Sequence, residues 1–123
     1  MFDAYDADTK LLWDKKLVRS TLSDVCKLLG VLELSKPLVY SVADGVLKVP
    51  GGVTGMIILA ESHISIHTFP TKRFLSADIY SCRHGLDRKR VADFLKRRFR
   101  AIDVDVTFIL RGKRYGRVEK KRR

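Results

Sequence analysis

The residues best suited to chemistry lie in one short segment, residues 60–70, which reads Ala-Glu-Ser-His-Ile-Ser-Ile-His-Thr-Phe-Pro. Seven of these residues, 62–68, include two histidines, which can act as bases, and three hydroxyl side chains, which can act as nucleophiles. Alternation along a strand places His63, Ser65 and His67 on one face. On spacing alone, the pattern favours a polar sheet face with hydrogen-bonded histidines over a reactive centre.

Two common kinds of site are not supported by this segment. No Asp or Glu stands at metal-ligand spacing from His63 and His67, which argues against a zinc site, and we expect no metal. Ser62 is not framed as Gly-x-Ser-x-Gly, so a hydrolase triad has no support.

The two cysteines, Cys26 and Cys82, lack the CxxC pairing of zinc and redox sites. In a reducing cytosol both are expected to be free thiols. Cys26 falls on the apolar face of a predicted helix, where it serves as a small core residue. Cys82 ends a predicted strand beside Arg83 and His84, a setting in which a thiol can be reactive.

The hydrophobic pattern around the segment predicts the elements that must position it. Apolar residues at helical spacing predict helices over residues 11–29, closed by Gly30, and over residues 86–102. Strands are predicted at Phe2–Tyr5, Leu38–Val42, Val53–Ala60, Ile64–His67, Phe74–Cys82 and Val104–Leu110. This order favours an α+β fold, a two-layer sandwich with two helices on one face of an antiparallel sheet. The uncovered face needs burial, so we expect a homodimer.

The size and composition fit a single domain over residues 1–123. The chain is 46% apolar and 32% charged, the balance of a folded protein rather than a disordered one. Its acidic start lacks the plan of a signal peptide. The longest apolar stretch, Val53–Ala60, is far below the roughly 20 residues of a membrane helix, so we expect a cytoplasmic protein with no membrane partner.

The net charge of +11 is unevenly distributed. Basic residues concentrate in residues 83–100 and in the tail, residues 112–123, which ends Lys120-Lys121-Arg122-Arg123. A solvated helix face followed by a frayed terminus explains this pattern. A surface that binds RNA or an acidic partner is the alternative.

Residues 61–70 closely resemble the self-cleavage motif of the short, prokaryotic type of S-adenosylmethionine decarboxylase, a pyruvoyl-dependent family. Two further segments are similar to that family: the Gly-rich approach at Gly51–Gly55, and the strand Asp78–Cys82 that ends in the functional cysteine. The resemblance covers residues 2–111 and leaves out the basic tail.

The resemblance implies that the chain cleaves itself between Glu61 and Ser62. The Ser62 hydroxyl would attack the Glu61 carbonyl, and elimination would leave a β chain, residues 1–61, and an α chain, residues 62–123, that begins with a covalent pyruvoyl group. His67, five residues after the serine, corresponds to the processing base of the family. Thr54, eight residues before the serine, stands where the family commonly has a serine that polarises the carbonyl.

The same resemblance implies the reaction and its residues. The pyruvoyl carbonyl would form a Schiff base with the substrate's amino group and act as an electron sink for decarboxylation. Cys82 corresponds to the proton donor. Phe69 stands where the family has a tryptophan and can stack on adenine, whereas Thr71 replaces a glutamate. The expected activity is decarboxylation of S-adenosylmethionine for spermidine biosynthesis.

Two alternatives remain at the level of sequence. The first is a decarboxylase of arginine or ornithine, which would need an acidic partner such as Glu33, Asp44 or Asp78. The second is an unprocessed relative that binds nucleic acid through its basic helix and tail. Only the enzyme gives a reason for Glu61, Ser62 and His67 to occur together.

Overall fold

The computed structural model describes residues 1–81 and 85–114. Cys82, Arg83 and His84 lie outside the described residues, as does most of the basic tail. The elements are β1 Phe2–Tyr5, α1 Thr9–Leu12, α2 Lys15–Leu29, β2 Leu38–Val42, β3 Gly52–Leu59, β4 Ser62–Phe69, β5 Phe74–Tyr80, α3 Arg88–Arg98 and β6 Asp103–Val106.

The first predicted helix is divided in two. Asp8 caps α1 by accepting hydrogen bonds from the backbone of Lys10 and Leu11, and Asp14 caps α2 through the backbone N–H of Leu17. An aspartate at an N-cap satisfies N–H groups that the helix leaves free, so Asp14 starts a new helix inside the predicted one. Gly30 ends α2 in the left-handed conformation, as predicted.

The six strands form one antiparallel sheet in the order β2-β3-β4-β5-β1-β6. Strands β2 to β5 follow one another as in the sequence, while β1 inserts between β5 and β6. The helices lie on one side, with α2 against β2, β3 and β4 and α3 against β1 and β6. The predicted two-layer α+β sandwich is therefore confirmed, although the described part of the chain holds three α-helices, α1 to α3, rather than two.

The core lies between the helices and one face of the sheet. Gly55 of β3 lets α2 approach closely, because a Cβ there would stand 2.9 Å from Leu22 Cδ1 and 3.1 Å from Val18 Cγ1. The largest fully buried side chains are Phe99, Leu12, Leu22, Ile57, Ile64, Ile66, Leu75, Leu95, Val18, Val25, Val53 and Val91. Because side chains alternate along a strand, the residues of β3 and β4 that lie between these buried ones face the opposite side of the sheet.

The last strand is shorter than predicted. The prediction ran to Leu110, but β6 ends at Val106, which pairs with Phe2 at the start of β1. Two further hydrogen bonds join Thr107 to Met1, and beyond them β1 offers no partner. Alternating apolar residues do not form a strand where the neighbouring strand has ended.

The second face of the sheet, here called the open face, is not covered by any helix of residues 1–81 and 85–114. It exposes five large apolar or aromatic side chains of β2 and β3: Leu38, Tyr40, Val42, Met56 and Ile58. Within the described ranges, no helix has both the length and the apolar character needed to cross a membrane.

Candidate active site

The Glu61-Ser62 junction lies at the turn of the β3–β4 hairpin. Leu59 pairs with Ser62, so Ala60 and Glu61 form the two-residue connection. Glu61 has a φ of 65°, in the left-handed region. A residue with a Cβ is strained there by about 1–2 kcal/mol, which is why hairpin turns usually place Gly or Asn at such positions. The peptide bond that follows Glu61 therefore lies in a strained turn.

The Ser62 hydroxyl lies beside that turn. Its Oγ donates a hydrogen bond to the Ala60 carbonyl oxygen at 3.2 Å, and the side chain is half-buried. This contact is exposed and joins the hydroxyl to the backbone of the turn itself. The predicted nucleophile therefore lies next to the peptide bond that it would attack.

Thr54 and His67 form a second polar group. They are register partners on β3 and β4, and Thr54 Oγ1 lies 3.1 Å from His67 Nδ1. The next partner of His67, Ser76 of β5, donates a hydrogen bond to Asp3 at 2.9 Å. Both His67 and Thr54 are exposed on the open face, so the structure brings together the predicted base and the predicted carbonyl-polarising hydroxyl.

The two groups are far apart within one chain. Ser62 and His67 stand at opposite ends of β4, and five residues of extended chain at about 3.3 Å each separate their Cα atoms by about 16 Å. Alternation also places Ser62 with the helix-facing residues of β4 and His67 on the open face. One chain therefore does not bring His67 to Ser62.

Phe69 belongs to the group that contains His67. It lies two residues beyond His67 on the same face of β4, and its ring stacks on Phe74 with centroids 5.6 Å apart. Phe69 is half-buried, which leaves part of its ring available to a ligand. The predicted adenine-stacking residue thus accompanies Thr54 and His67 rather than Ser62.

The end of the sheet beside Ser62 holds an aromatic and cationic group that the sequence analysis missed. His63 stacks on Tyr80 with centroids 5.4 Å apart, and the Arg111 guanidinium lies 4.5 Å from the Tyr80 ring centroid. These residues, with Glu61 and Phe108, line a cavity of about 850 Å³. Small-molecule pockets fall at about 300–1,000 Å³, so this cavity is large enough for a small substrate.

No sequence signal identified Tyr80 or Arg111 as neighbours of the junction. Tyr80 is an ordinary strand residue in the pattern, and its contact with His63 depends on the β4–β5 register. Arg111 follows the last strand and returns to the sheet by a path that local sequence does not specify. The left-handed conformation of Glu61 is set by a short turn and is therefore local in sequence. Glutamate, however, is not a residue type that predicts such a turn.

Cys26 is a core residue, as predicted. Cys26 is buried in the core, and this burial raises the pKa of its thiol to about 11. It is therefore a neutral core side chain at physiological pH. Cys82, the predicted proton donor, lies outside the described residues. Among the residues that are described, no three His, Cys, Asp or Glu side chains group as metal ligands.

The fold and site together define a class, a two-layer α+β protein that carries Glu-Ser at a strained hairpin turn and a Thr-His pair on its open sheet face. The chain belongs to the S-adenosylmethionine decarboxylase family, whose model matches residues 1–112. It is 31% identical over 110 residues to the S-adenosylmethionine decarboxylase proenzyme of Pyrococcus abyssi, covering 89% of this chain and 74% of that protein.

Two further comparisons agree with this assignment. The proenzyme of the same name from Clostridium botulinum is 38% identical over 64 residues, which is 52% of this chain and 55% of that one. The crystal structure of the adenosylmethionine decarboxylase from Aquifex aeolicus superposes with a TM-score of 0.68 over 91% of both chains at 23% identity. The latter likeness supports the fold.

Proposed function

We propose that the chain cleaves itself between Glu61 and Ser62 and then decarboxylates S-adenosylmethionine, yielding the aminopropyl donor of polyamine synthesis. The observation that carries the proposal is the Glu61-Ser62 junction, which sits in a strained turn beside a cavity of about 850 Å³. The name proenzyme, carried by the relatives in Pyrococcus abyssi and Clostridium botulinum, supports the self-cleavage.

The cleavage chemistry follows from the atoms at the turn. Ser62 Oγ attacks the Glu61 carbonyl carbon, the peptide C–N bond breaks, and an ester forms. A base removes the proton from Ser62 Cα, the Cβ–O bond breaks, and Glu61 leaves as a carboxylate. Water then replaces the nitrogen of residue 62, which departs as ammonia and leaves the pyruvoyl group. Residues 1–61 and 62–123 are the two products.

The site fits that cofactor. Residue 62 would become the first residue of the α chain, between Glu61 and His63, which both line the cavity, and His63 stacks on Tyr80. The pyruvoyl carbonyl supplies an electron sink for the electron pair left when carbon dioxide departs. Cys82, two residues after Tyr80 in the sequence, is the proposed donor of the proton that replaces the carboxylate.

We infer that the active protein is a homodimer in which His67 and Thr54 of one copy serve Ser62 of the other. The separation of about 16 Å between Ser62 and His67 along β4 supports this, because a base must reach the proton it removes. The exposed apolar residues of β2 and β3 support it too, since an uncovered sheet face favours burial against a second copy. The competing base within one chain is His63, which adjoins Ser62.

Co-expression of two inactive variants separates these possibilities. Neither Ser62→Ala nor His67→Ala alone is expected to cleave, because one lacks the nucleophile and the other the base. In a mixed dimer, the His67→Ala chain keeps Ser62 and receives His67 from its partner, so that chain should cleave. Intact mass would show fragments of roughly half of 14.1 kDa from the His67→Ala chain only.

Three results would contradict the proposal at different points. An uncleaved wild-type chain of 14.1 kDa under all conditions would refute the pyruvoyl function. Failure of the mixed dimer to cleave would refute service by a partner. Normal cleavage of His67→Ala with loss in His63→Ala would assign the base to His63 instead.

The substrate is proposed from Phe69 and tested against the basic amino acids. Phe69 and Phe74 present a stacked aromatic surface suited to an adenine ring. Of the acidic residues that arginine or ornithine would need, Asp44 already accepts a hydrogen bond from the Gly51 backbone, whereas Asp78 lines the cavity. We expect labelled carbon dioxide from S-adenosylmethionine and a raised KM in Phe69→Ala. Release from arginine or ornithine, lost in Asp78→Asn, would contradict this substrate.

A further inference from the structure

The outer surface of the helix layer is strongly cationic. We define the basic helix face as a set of eight exposed Lys and Arg side chains on and next to α2 and α3. They are Lys15, Lys16, Arg19, Lys89, Arg90, Lys96, Arg97 and the adjoining Arg100. Residues 88–100 alone hold seven cationic side chains and one acidic side chain, Asp93. The two helices contact one another, so these cations share one surface.

The acidic residues of the helix layer leave this charge largely unneutralised. Asp8, Asp14 and Asp87 accept backbone N–H groups as helix N-caps. Asp24 is paired with Arg98 at 2.7 Å, which removes both charges from the balance. Within the described part of the chain, the only ion pair of a basic-helix-face residue joins Arg100 to Asp8 at 3.9 Å, a weak contact in solvent.

This accumulation is not explained by folding. Buried residues of α3 such as Val91 and Leu95 attach the helix to the sheet, and neutral polar residues would serve equally on its outer side. Like charges three or four residues apart on a helix repel and destabilise it. A polyanion bound to the surface would remove that repulsion. The surface is therefore better suited to a partner than to solvent alone.

We propose that the basic helix face binds the phosphate backbone of nucleic acid, independently of the decarboxylase reaction. Four of the eight cations of the basic helix face are arginines, whose planar guanidinium matches phosphate oxygens. Neither α2 nor α3 carries a large exposed apolar residue, which is the feature that a membrane-inserting helix needs. The only aromatic ring of α3, Phe94, is half-buried and covered by Arg98 at 4.6 Å.

The absence of an exposed ring on α3 predicts how the nucleic acid is bound. Base recognition in single strands uses exposed aromatic side chains, so we expect backbone contacts without sequence preference. The basic helix face lies across the sheet from Thr54 and His67, which occupy the open face. Bound nucleic acid should therefore leave self-cleavage and decarboxylation unchanged.

A charge-matched pair of variants tests the proposal in the full chain. The first is Arg90→Gln, Lys96→Gln and Arg97→Gln together, which removes three charges from the basic helix face. The control is Lys36→Gln, Lys48→Gln and Lys72→Gln, which removes three exposed charges outside α2 and α3. Both keep the basic tail and have the same net charge. The probe is a labelled RNA duplex of about 20 base pairs with arbitrary sequence, measured by fluorescence anisotropy over a salt series.

The two variants should differ sharply. Each lost phosphate contact lowers the magnitude of the salt slope by about 0.9, so the first variant should lose about 2 to 3 units of slope and bind at least about tenfold more weakly at 0.1 M salt. The control should bind within about twofold of wild type. A DNA duplex of the same sequence should behave like the RNA, because both present phosphates.

Three outcomes would overturn the proposal. Equal weakening by both variants would mean that net charge and the tail, rather than this face, attract the probe. Unchanged binding of the first variant would exclude the face directly. Binding to anionic lipid vesicles without binding to either duplex would assign the surface to a membrane. None of these readouts involves Ser62, so the proposal can fail while the decarboxylase function holds.

Discussion

The strained turn at Glu61 allows one prediction to be worked out quantitatively. Replacing Glu61 by Gly removes the cost of placing a side chain at a φ of 65°, about 1–2 kcal/mol. The strain raises the free energy of the uncleaved ground state. If it is released as the Glu61-Ser62 bond breaks, the transition state carries less of this strain than the ground state does. Relaxing the ground state then raises the barrier by up to the same amount. A barrier change of about 1–2 kcal/mol corresponds to cleavage that is about 5- to 30-fold slower.

The assay is a cleavage time course after a pulse of cell-free synthesis, read by intact mass. Glu61→Gln serves as the matched control, because it keeps the side chain at the left-handed position and removes only the charge. Glu61→Asn should lie between Gln and Gly, since Asn tolerates this conformation better than other residues with a Cβ. The expected order of cleavage rates is therefore Gln, then Asn, then Gly.

The rate is a better probe of this strain than stability is. Glycine also increases the entropy of the unfolded chain, which costs about 0.5–1 kcal/mol and offsets part of the relief in an unfolding experiment. The unfolded state does not enter the cleavage step. A Glu61→Gly chain that cleaves as fast as Glu61→Gln would refute the role of strain at this turn, whatever its stability.

Two further predictions concern the core and can be measured in the uncleaved Ser62→Ala chain. Thr68 is buried and its hydroxyl bonds two backbone groups, at 2.8 and 2.9 Å, so Thr68→Val should lower the free energy of unfolding in urea by about 2–5 kcal/mol, and Thr68→Ser should restore most of it. Because burial raises the pKa of Cys26 from 9.0 to about 11, its stabilising effect should be present below pH 9 and fall as the pH rises towards 11. Cys26→Ala should lose that alkaline decline, and rapid labelling of native Cys26 at pH 7 would contradict its burial.

Much of the fold could be predicted because its causes are local. Short apolar runs and alternating apolar residues identified the strands, and Gly30 correctly ended α2. Asp14 carried a capping signal that could have divided the first helix in advance. The position of β1 between β5 and β6 had no such signal, since these strands are distant in sequence and their pairing depends on the whole chain. The end of β6 likewise depends on where its partner β1 begins.

The candidate site likewise combines features that were predicted from the sequence with features that only the tertiary structure set. Sequence by itself indicated the residues of the proposed cleavage, Glu61, Ser62 and His67, because together they resemble a family motif. Tertiary structure decided where they lie, since β4 is extended and its alternation and length carry His67 about 16 Å from Ser62. Residues near in sequence are brought together by a helix or a turn, whereas a strand separates them. The pairing register of β3 and β4 places Thr54 beside His67, and the turn between these strands places Glu61 in the strained left-handed conformation.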